Sequence, residues 1–271
     1  VLAGGGQVKG INLKGHSKLA RSQIDDLIVY AQELGAKGLS WIKHNDAGLE
    51  SSIVKFFPEA SRELLIAGMQ SEPGDLLLFI ADQPDAVARI LGTIRLELAR
   101  RFELIPAGSY APLWITEFPL LEYDPAARRY AALHHPFTSP VDEDIDVLET
   151  DPGRVRARAY DLVLNGTEIA GGSIRISRRA VQSRMFDLLA MTPEEADQKF
   201  GFLLEALEYG TPPHGGIAFG FDRLVAILAG EESIRDVIAF PKTNKAVGLM
   251  ESSPTEVEHS QLLELGIQVL S

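Results

Sequence analysis

Two carboxylates lie in a short stretch that otherwise predicts a plain β-hairpin. The stretch is YDLVLNGTEIAGGSIRI, residues 160–176, and the carboxylates belong to Asp161 and Glu168. Asn165 and Gly166 predict a two-residue type I′ turn, because both residue types tolerate the positive φ that this turn requires. The turn therefore predicts two antiparallel strands that carry acidic side chains.

Pairing outward from the turn predicts the side of the hairpin on which each carboxylate lies. Val163 faces Glu168 and Asp161 faces Ala170, so Asp161 and Glu168 share one face as diagonal neighbours. Two carboxylates so close repel each other unless they share a proton or a cation. Because only oxygen ligands are on offer, magnesium is favoured over zinc. The alternative is a solvent-exposed face on which each carboxylate is hydrated.

Arg175 adds a cation to the same stretch. It follows Glu168 by seven residues, an odd separation that would place the two side chains on opposite faces of a regular strand. Gly171 and Gly172 lie between them, and glycine inside a strand often marks a bulge. We expect a bulge at this glycine pair that turns Arg175 onto the carboxylate face, where it could bind an anionic group bidentately.

The segment HHPFT places His134 and His135 directly before a proline, which favours an extended backbone at His135. Neighbouring residues of an extended segment point to opposite sides, so at most one histidine is expected to face a given pocket. The alternative is a pair of loop histidines with one ring bonded to a backbone carbonyl. Zinc ligation is disfavoured, since the sequence lacks both cysteine and His-x-x-x-His spacing.

A second candidate anion site lies in GGIAFGFDRLVAIL, residues 215–228. A short strand runs directly into an apolar helical pattern, and Asp222 and Arg223 fall in the first helical turn. A helix N-terminus favours anions, and an arginine there can stack on a base or bind phosphate. The pattern matches neither a Walker loop nor a dinucleotide G-x-G-x-x-G. An ordinary strand-to-helix connection with a surface arginine is the alternative.

The composition limits the classes of protein to consider. The 271 residues are 45% hydrophobic and 24% charged, enough for one large or two modest domains. The absence of cysteine excludes disulfides and thiolate chemistry. No apolar run is long enough for a membrane span and the first residues lack signal-peptide features, so we expect a cytoplasmic protein.

The net charge of −12 argues against a surface that is basic throughout, as a non-specific nucleic-acid binder would have. Local basic patches remain, and they lie at residues 100–101, 154–158 and 178–184.

Strands and helices alternate through the first hundred residues. Ser22 and Asp25 predict a capping box for a helix that ends at Gly35. Strands are predicted at residues 38–42 and 76–81, and a second helix from Pro84. Pro, Gly and Ser in IPAGSY then break the pattern and predict a domain boundary near residue 108. Farther along, Thr192-Pro-Glu-Glu predicts a capped helix start.

Several motifs in this order resemble the C-terminal half of bacterial-type aspartyl-tRNA synthetases. They are WITEFPLLEYD, HHPFTSP, AYDLVLNGTEIAGGSIRI, KFGFLLEALEYGTPPHGGIAFGFDRL and IRDVIAFPKT, and GFDRL resembles motif 3 of the class II synthetases. The resemblance implies an α+β fold. Residues 109–271 would form part of a catalytic domain with an antiparallel sheet flanked by helices. Residues 1–108 resemble the small α+β GAD insertion domain, a module also found in a tRNA-amidotransferase subunit.

The resemblance also implies roles for the hairpin and histidine residues. His134 and His135 would bind aspartate, and Arg175 would clamp its side-chain carboxylate. Asp161 and Glu168 would hold Mg²⁺ against ATP, and Glu168 would contact ATP itself.

The same resemblance implies that the start of the predicted helix binds the nucleotide. Gly220, Phe221, Asp222 and Arg223 resemble the ATP-binding turn. The implied catalytic groups are Arg175, Glu168 and Arg223.

The implied reaction is ATP-dependent activation of L-aspartate and its transfer to tRNA by a homodimeric enzyme. Alternatives are a ligase that charges both the aspartate and the asparagine tRNA, a truncated paralogue that binds amino acid or nucleotide without charging tRNA, and an amidotransferase-type module. Ala170 stands where the family usually has a glycine. Motifs 1 and 2 and the anticodon-binding barrel are absent from the sequence, so we interpret the chain as a fragment, inactive and poorly stable alone.

Overall fold

The computed structural model describes residues 1–269. The chain divides into two compact units, the first spanning Val1–Ser109 and the second beginning at Tyr110. Both units combine helices with antiparallel sheets, which confirms the predicted α+β class. No helix within the described residues has the length and apolar composition needed to span a membrane.

The first unit contains a four-stranded antiparallel sheet in the order β1-β4-β2-β3. Its strands are β1 (Gln7–Leu13), β2 (Ser40–Asn45), β3 (Gly48–Glu50) and β4 (Leu76–Asp82). Its helices are α1 (Arg21–Glu33), α2 (Glu59–Gly68) and α3 (Pro84–Arg101), with short 3₁₀ helices at Leu2–Gly4 and Val54–Phe56. The central position of β4 explains its continuous apolar run, because Leu76, Leu77 and Leu78 are all fully buried.

Helix α1 begins earlier than the sequence predicted. Its N-cap is Ala20, whose N–H donates to Gln23 Oε1 at 2.9 Å, and Ser22 already lies inside the helix. The predicted Ser22–Asp25 capping box is therefore wrong. The carboxylate of Asp25 instead pairs with the Arg21 guanidinium, 2.9 Å away, one helical turn earlier.

The second unit contains a four-stranded antiparallel sheet in the order β10-β9-β8-β5 and a separate hairpin of β6 and β7. The strands are β5 (Pro112–Thr116), β6 (Leu121–Asp124), β7 (Arg129–Ala132), β8 (Ala159–Leu164), β9 (Thr167–Ile174) and β10 (Gly215–Phe219). The helices are α4 (Arg179–Leu188), α5 (Pro193–Glu208), α6 (Phe221–Ala229) and α7 (His259–Glu264). Short 3₁₀ helices lie at Asp142–Val147, Pro152–Arg154 and Ile234–Asp236.

Helix α5 starts as predicted. The Thr192 hydroxyl accepts from the Glu195 N–H and the Glu195 carboxylate accepts from the Thr192 N–H, both at 3.2 Å. The capping box fixes the helix start. The apolar stripe of α5 then packs with α4 through the ring pair of Phe186 and Phe200, whose centroids are 5.8 Å apart.

The edge strands of the second sheet expose apolar side chains. On β5, Leu113 and Trp114 are about half exposed, and on β10 Phe219 is 56% exposed. An open apolar strand edge favours association with other chains. The two edges of this sheet thus offer apolar surface to further strands or to another chain.

A buried carboxylate organises the turns beside β1 and β4 in the first unit. Asp75 is 3% exposed and accepts from Asn12 Nδ2 at 2.9 Å and from the backbone N–H groups of Gly15 and Glu72 at 2.9 and 3.0 Å. Lys14 Nζ lies 3.4 Å from the carboxylate. Burial alone would raise the pKa of Asp75, but these donors outweigh it and lower the pKa to about 2.

The lowered pKa predicts how Asp75 contributes to stability. Above the unfolded pKa of about 3.9, the charged form should stabilise the first unit by roughly 2 kcal/mol, and this contribution should disappear as pH falls towards about 2. Asp75→Asn should therefore lower the free energy of unfolding at neutral pH, with a difference that shrinks in acid. Urea unfolding followed by Trp41 fluorescence in a Trp114→Phe background measures this difference. Asp26→Asn, an exposed carboxylate on α1, is the matched control and should change little. A difference for Asp75→Asn that stays constant down to pH values near 2 would contradict the assignment.

Candidate functional site

The β8–β9 hairpin turns where the sequence predicted. Asn165 and Gly166 have φ of 50° and 82°, the positive values that a type I′ turn requires. Val163 pairs with Glu168, as pairing outward from the turn predicts. The first strand pairs are therefore confirmed.

A register shift follows immediately. Leu162 pairs with Ala170, although Val163 pairs with Glu168, so Ile169 is an extra residue in β9. The predicted pairing of Asp161 with Ala170 is wrong, since Asp161 pairs with Gly171. The bulge also lies before the glycine pair at which it was expected.

The shift decides the direction of Arg175. An odd separation of seven residues places Glu168 and Arg175 on opposite faces of a regular strand, but one bulged residue between them restores the same face. The expected outcome thus holds although the bulge is at Ile169 and not at Gly171 and Gly172.

A cleft of about 390 Å³ forms on this face and brings together His134, His135, Asp161, Glu168 and Arg175. The rest of its lining consists of Thr138, Gly171, Gly172, Ser173 and Ala218. The expectation that only one histidine would face a given pocket is wrong. His134 and His135 lie in the loop after β7 and not in a strand, so side-chain alternation does not apply.

The two carboxylates converge above Gly171. A methyl group added at this glycine would lie 2.7 Å from Asp161 Oδ1 and 3.6 Å from Glu168 Oε1. Both oxygens therefore border one small space that only a glycine leaves open. Within residues 1–269, no cluster of three or more metal-ligating side chains exists. A cation held here would need further ligands from a substrate or water.

Arg175 lines the cleft and, within residues 1–269, has one guanidinium nitrogen without a hydrogen-bond partner. Its backbone N–H donates to the His214 carbonyl at 2.9 Å, which fixes the start of the loop after β9. Its Nη1 atom is buried and has no hydrogen-bond partner among the described residues. A buried guanidinium N–H without an acceptor costs roughly 1–3 kcal/mol, so an anionic ligand at this position is favoured.

His135 is held as a neutral hydrogen-bond donor. The Phe137 N–H donates to His135 Nδ1 at 3.2 Å, which places the ring proton on Nε2. Desolvation, and then the nearby Arg175 cation, lower the pKa of His135. His134 differs, because its ring packs edge-on against Phe118 with centroids 4.9 Å apart.

The start of α6 braces the bulge. The Gly220 N–H donates to the Ile169 carbonyl at 2.8 Å, and Arg223 Nη1 donates to the Glu168 carbonyl at 2.9 Å. Arg223 Nη1 also lies 3.7 Å from Glu168 Oε1. None of the four residues of the predicted nucleotide turn, Gly220, Phe221, Asp222 and Arg223, lines the cleft. Arg223 is connected to it indirectly, through Glu168.

Sequence reasoning missed two hydroxyls of the cleft. Thr138 and Ser173 are buried, and their hydroxyls are 3.4 Å apart. The sequence could have indicated both residues. Thr138 belongs to the motif HHPFT, and Ser173 lies two residues before Arg175, a spacing that places both side chains on the same face of the strand.

A further contact holds β10 against β9. The Tyr160 hydroxyl donates to the Gly216 carbonyl at 3.0 Å, and this bond passes over Gly172. A methyl group at Gly172 would lie 2.0 Å from the Gly216 oxygen and 2.8 Å from Tyr160 Cε2. Gly172 thus permits the close approach of the two strands.

Comparison with known families agrees with this arrangement. The family model described as tRNA synthetases class II (D, K and N) matches residues 24–244, most of the chain and all of the cleft. The chain belongs to this family of class II tRNA synthetases.

Individual class II synthetases are similar over nearly the whole chain. The aspartate–tRNA(Asp/Asn) ligase of Heliobacterium modesticaldum is 53% identical over 99% of this chain and 44% of that protein. The aspartate–tRNA(Asp/Asn) ligase of Symbiobacterium thermophilum is 54% identical over 97% of this chain and 46% of that protein. The chain thus spans less than half the length of these curated relatives. A solved asparaginyl-tRNA synthetase of Entamoeba histolytica with asparaginyl-adenylate is 22% identical over 55% of this chain and 28% of that chain, with a TM-score of 0.38.

The close approach at Gly172 predicts a sharp contrast between two glycines, Gly172 of β9 and Gly216 of β10. Gly172→Ala should separate β9 from β10 and cost about 3 kcal/mol, because the new methyl group overlaps a backbone oxygen. Gly216→Ala is the matched control, since a methyl group there meets nothing within 4 Å. Chemical denaturation of both variants measures the difference. Equal effects would show that the strand approach is not tight.

The environment of His135 predicts its titration. Its imidazole should titrate below the ordinary value of about 6.5, and Arg175→Leu should raise the pKa only in part, because desolvation remains. Imidazole NMR shifts followed against pH measure this change. Arg154→Leu, which removes an exposed arginine, should leave the titration unchanged. A wild-type pKa at or above 6.5 would refute the described environment.

Proposed function

We propose that this chain carries the C-terminal part of the active site of an aspartate–tRNA ligase. The activity would be ATP-dependent activation of L-aspartate followed by transfer to tRNA. The observation that carries the proposal is the buried, unpaired Arg175 Nη1 in a cleft that also holds a carboxylate pair and a neutral histidine. The identity of 53–54% to aspartate–tRNA(Asp/Asn) ligases supports it.

In this proposal Arg175 binds the side-chain carboxylate of aspartate. The bond to the carboxylate would satisfy Nη1, and a charged ligand offers the stronger, bidentate interaction. An asparagine side chain has no charge to pair with the guanidinium, so Arg175 would also reject the amide. His134 and His135 would complete the amino-acid site, with His135 Nε2–H as a donor.

Asp161 and Glu168 are proposed to hold Mg²⁺ with the phosphates of ATP. Their oxygens border one space, which fits a cation that commonly takes one or two carboxylates and fills its shell with phosphate and water. When bound, the ion would neutralise charge on the phosphates. Arg223, 3.7 Å from Glu168, would lie beside the nucleotide together with Gly220, Phe221 and Asp222.

The chemistry requires no covalent intermediate on the protein. The α-carboxylate of aspartate attacks the α-phosphorus of ATP, aspartyl-adenylate forms and pyrophosphate leaves. The terminal ribose hydroxyl of tRNA then attacks the acyl carbon, and AMP leaves. Arg175, Glu168 and Arg223 would act by positioning the reactants and by balancing charge as it develops.

The first unit is proposed to be a GAD-type insertion domain, and the complete enzyme a cytoplasmic homodimer. A second form of the activity also has support. The relatives named above are aspartate–tRNA(Asp/Asn) ligases, which favours charging of both the aspartate and the asparagine tRNA over charging of the aspartate tRNA alone.

Replacing Arg175 tests the proposed amino-acid site. In the full-length protein, Arg175→Leu should reduce aspartate-dependent pyrophosphate exchange by at least about a hundredfold, because a charge-assisted bidentate contact is lost. ATP binding should remain nearly intact. The matched control, Arg154→Leu, removes a surface arginine of the same unit and should retain exchange. Near-normal exchange in Arg175→Leu would refute the proposed role.

A further inference from the structure

The arginines of two basic patches in the second unit, at residues 154–158 and 178–184, differ in whether a carboxylate pairs with them. Three of their six arginines have a close carboxylate partner. Arg156 pairs with Asp144 at 2.8 Å, Arg179 pairs with Glu208, and Arg184 pairs with Glu149. These ion pairs account for half of the positive charge at residues 154–158 and 178–184.

The other three arginines, Arg154, Arg158 and Arg178, lack a close carboxylate partner among the described residues. Arg158 has only a long contact of 3.8 Å to Asp142, and no carboxylate lies within 4 Å of the Arg178 guanidinium in the part of the chain that the structure describes. Both arginines line a cavity of about 290 Å³. Two under-neutralised cations at one cavity are unexpected in a chain whose net charge is −12.

The fold brings the two patches together. The Arg158 N–H donates to the Ser139 carbonyl at 2.8 Å, and the Ile174 N–H donates to the Arg158 carbonyl at 2.9 Å. Arg158 is thereby fixed beside the end of β9, and the chain then passes through Ser177 to Arg178 at the start of α4. The cavity is therefore built by backbone bonds between segments distant in sequence.

The lining chemistry suits a small oxyanion. The lining includes the arginine side chains, the Ser177 hydroxyl and one carboxylate, that of Asp142. The Ser139 hydroxyl also borders the cavity, but it already donates to the Pro140 carbonyl at 3.0 Å. Guanidinium and hydroxyl groups are the common protein donors to phosphate oxygens. Of the proposed catalytic residues, Arg175 alone lines both this cavity and the aspartate cleft.

We propose that the cavity at Arg158 and Arg178 is a binding site for a phosphate group, which adjoins the aspartate cleft at Arg175. The phosphate belongs either to the backbone of a bound tRNA or to free inorganic phosphate. The tRNA source rests on the proposed function, whereas the site itself does not.

Binding measurements on the full-length protein test the site. The variants are Arg158→Gln and Arg178→Gln, with Arg154→Gln as matched control, because Arg154 also has a single 3.8 Å carboxylate contact but lies outside the cavity. Affinity for a tRNA transcript is measured against salt concentration. The ³¹P line width of inorganic phosphate is measured with each protein. Arg178→Lys keeps the charge, and melting temperatures verify folding.

If tRNA provides the phosphate, each Gln variant should bind tRNA about threefold to tenfold more weakly. The slope of the logarithm of the binding constant against the logarithm of the salt concentration should also be smaller in magnitude by about one. Arg154→Gln should match the wild type and Arg178→Lys should retain most of the affinity. If free phosphate is the ligand, tRNA affinity stays unchanged and the ³¹P broadening is lost in the two Gln variants. No change in either measurement, or an equal loss in Arg154→Gln, would overturn the site.

These outcomes are separable from failure of the proposed function. Aspartate-dependent pyrophosphate exchange by the wild-type protein needs no tRNA. Its absence would contradict the proposed ligase activity, and the ³¹P measurement would still decide whether phosphate binds at Arg158 and Arg178.

Discussion

One extra residue in a strand determines the arrangement of the candidate site. Ile169 has no partner on β8, and this single shift places Glu168 and Arg175 on the same face of β9. Without it, the carboxylates and the arginine would lie on opposite sides of the sheet. The shift is secured from outside the hairpin, because the Ile169 carbonyl accepts from Gly220 and the Glu168 carbonyl accepts from Arg223.

The bulge and the helix start therefore depend on each other. Helix α6 is placed by the two carbonyls that the bulge turns towards it, and the bulge is held by the first residues of that helix. The placement of the charged side chains in the cleft also depends on the bulge. Arg175 is left with an unsatisfied buried donor and lines the same cleft as Asp161 and Glu168. Desolvation and then the Arg175 cation lower the pKa of His135. Such a site suits a ligand with one anionic group that binds Arg175 and a second group that binds a cation held by Asp161 and Glu168.

The parts of the fold that depend on local pattern were predictable from the sequence. The Asn165-Gly166 turn, the Thr192 capping box and the buried run at Leu76 each rest on local backbone or burial preferences. The position of the bulge was not predictable, because glycine is only one cause of a bulge and Ile169 is held by bonds to a segment fifty residues later. The Asp75 hydrogen-bond cluster and the convergence of Arg158 and Arg178 escaped for the same reason, since tertiary contacts create them.

A crystal structure of the full-length protein with L-aspartate and a non-hydrolysable ATP analogue would test the central claim most directly. The account predicts that Arg175 donates to the side-chain carboxylate of aspartate, with Asp161 and Glu168 on the same side of the sheet near the phosphates. A structure in which aspartate binds elsewhere, or in which β9 is regular and Arg175 lies on the opposite face from Glu168, would contradict it.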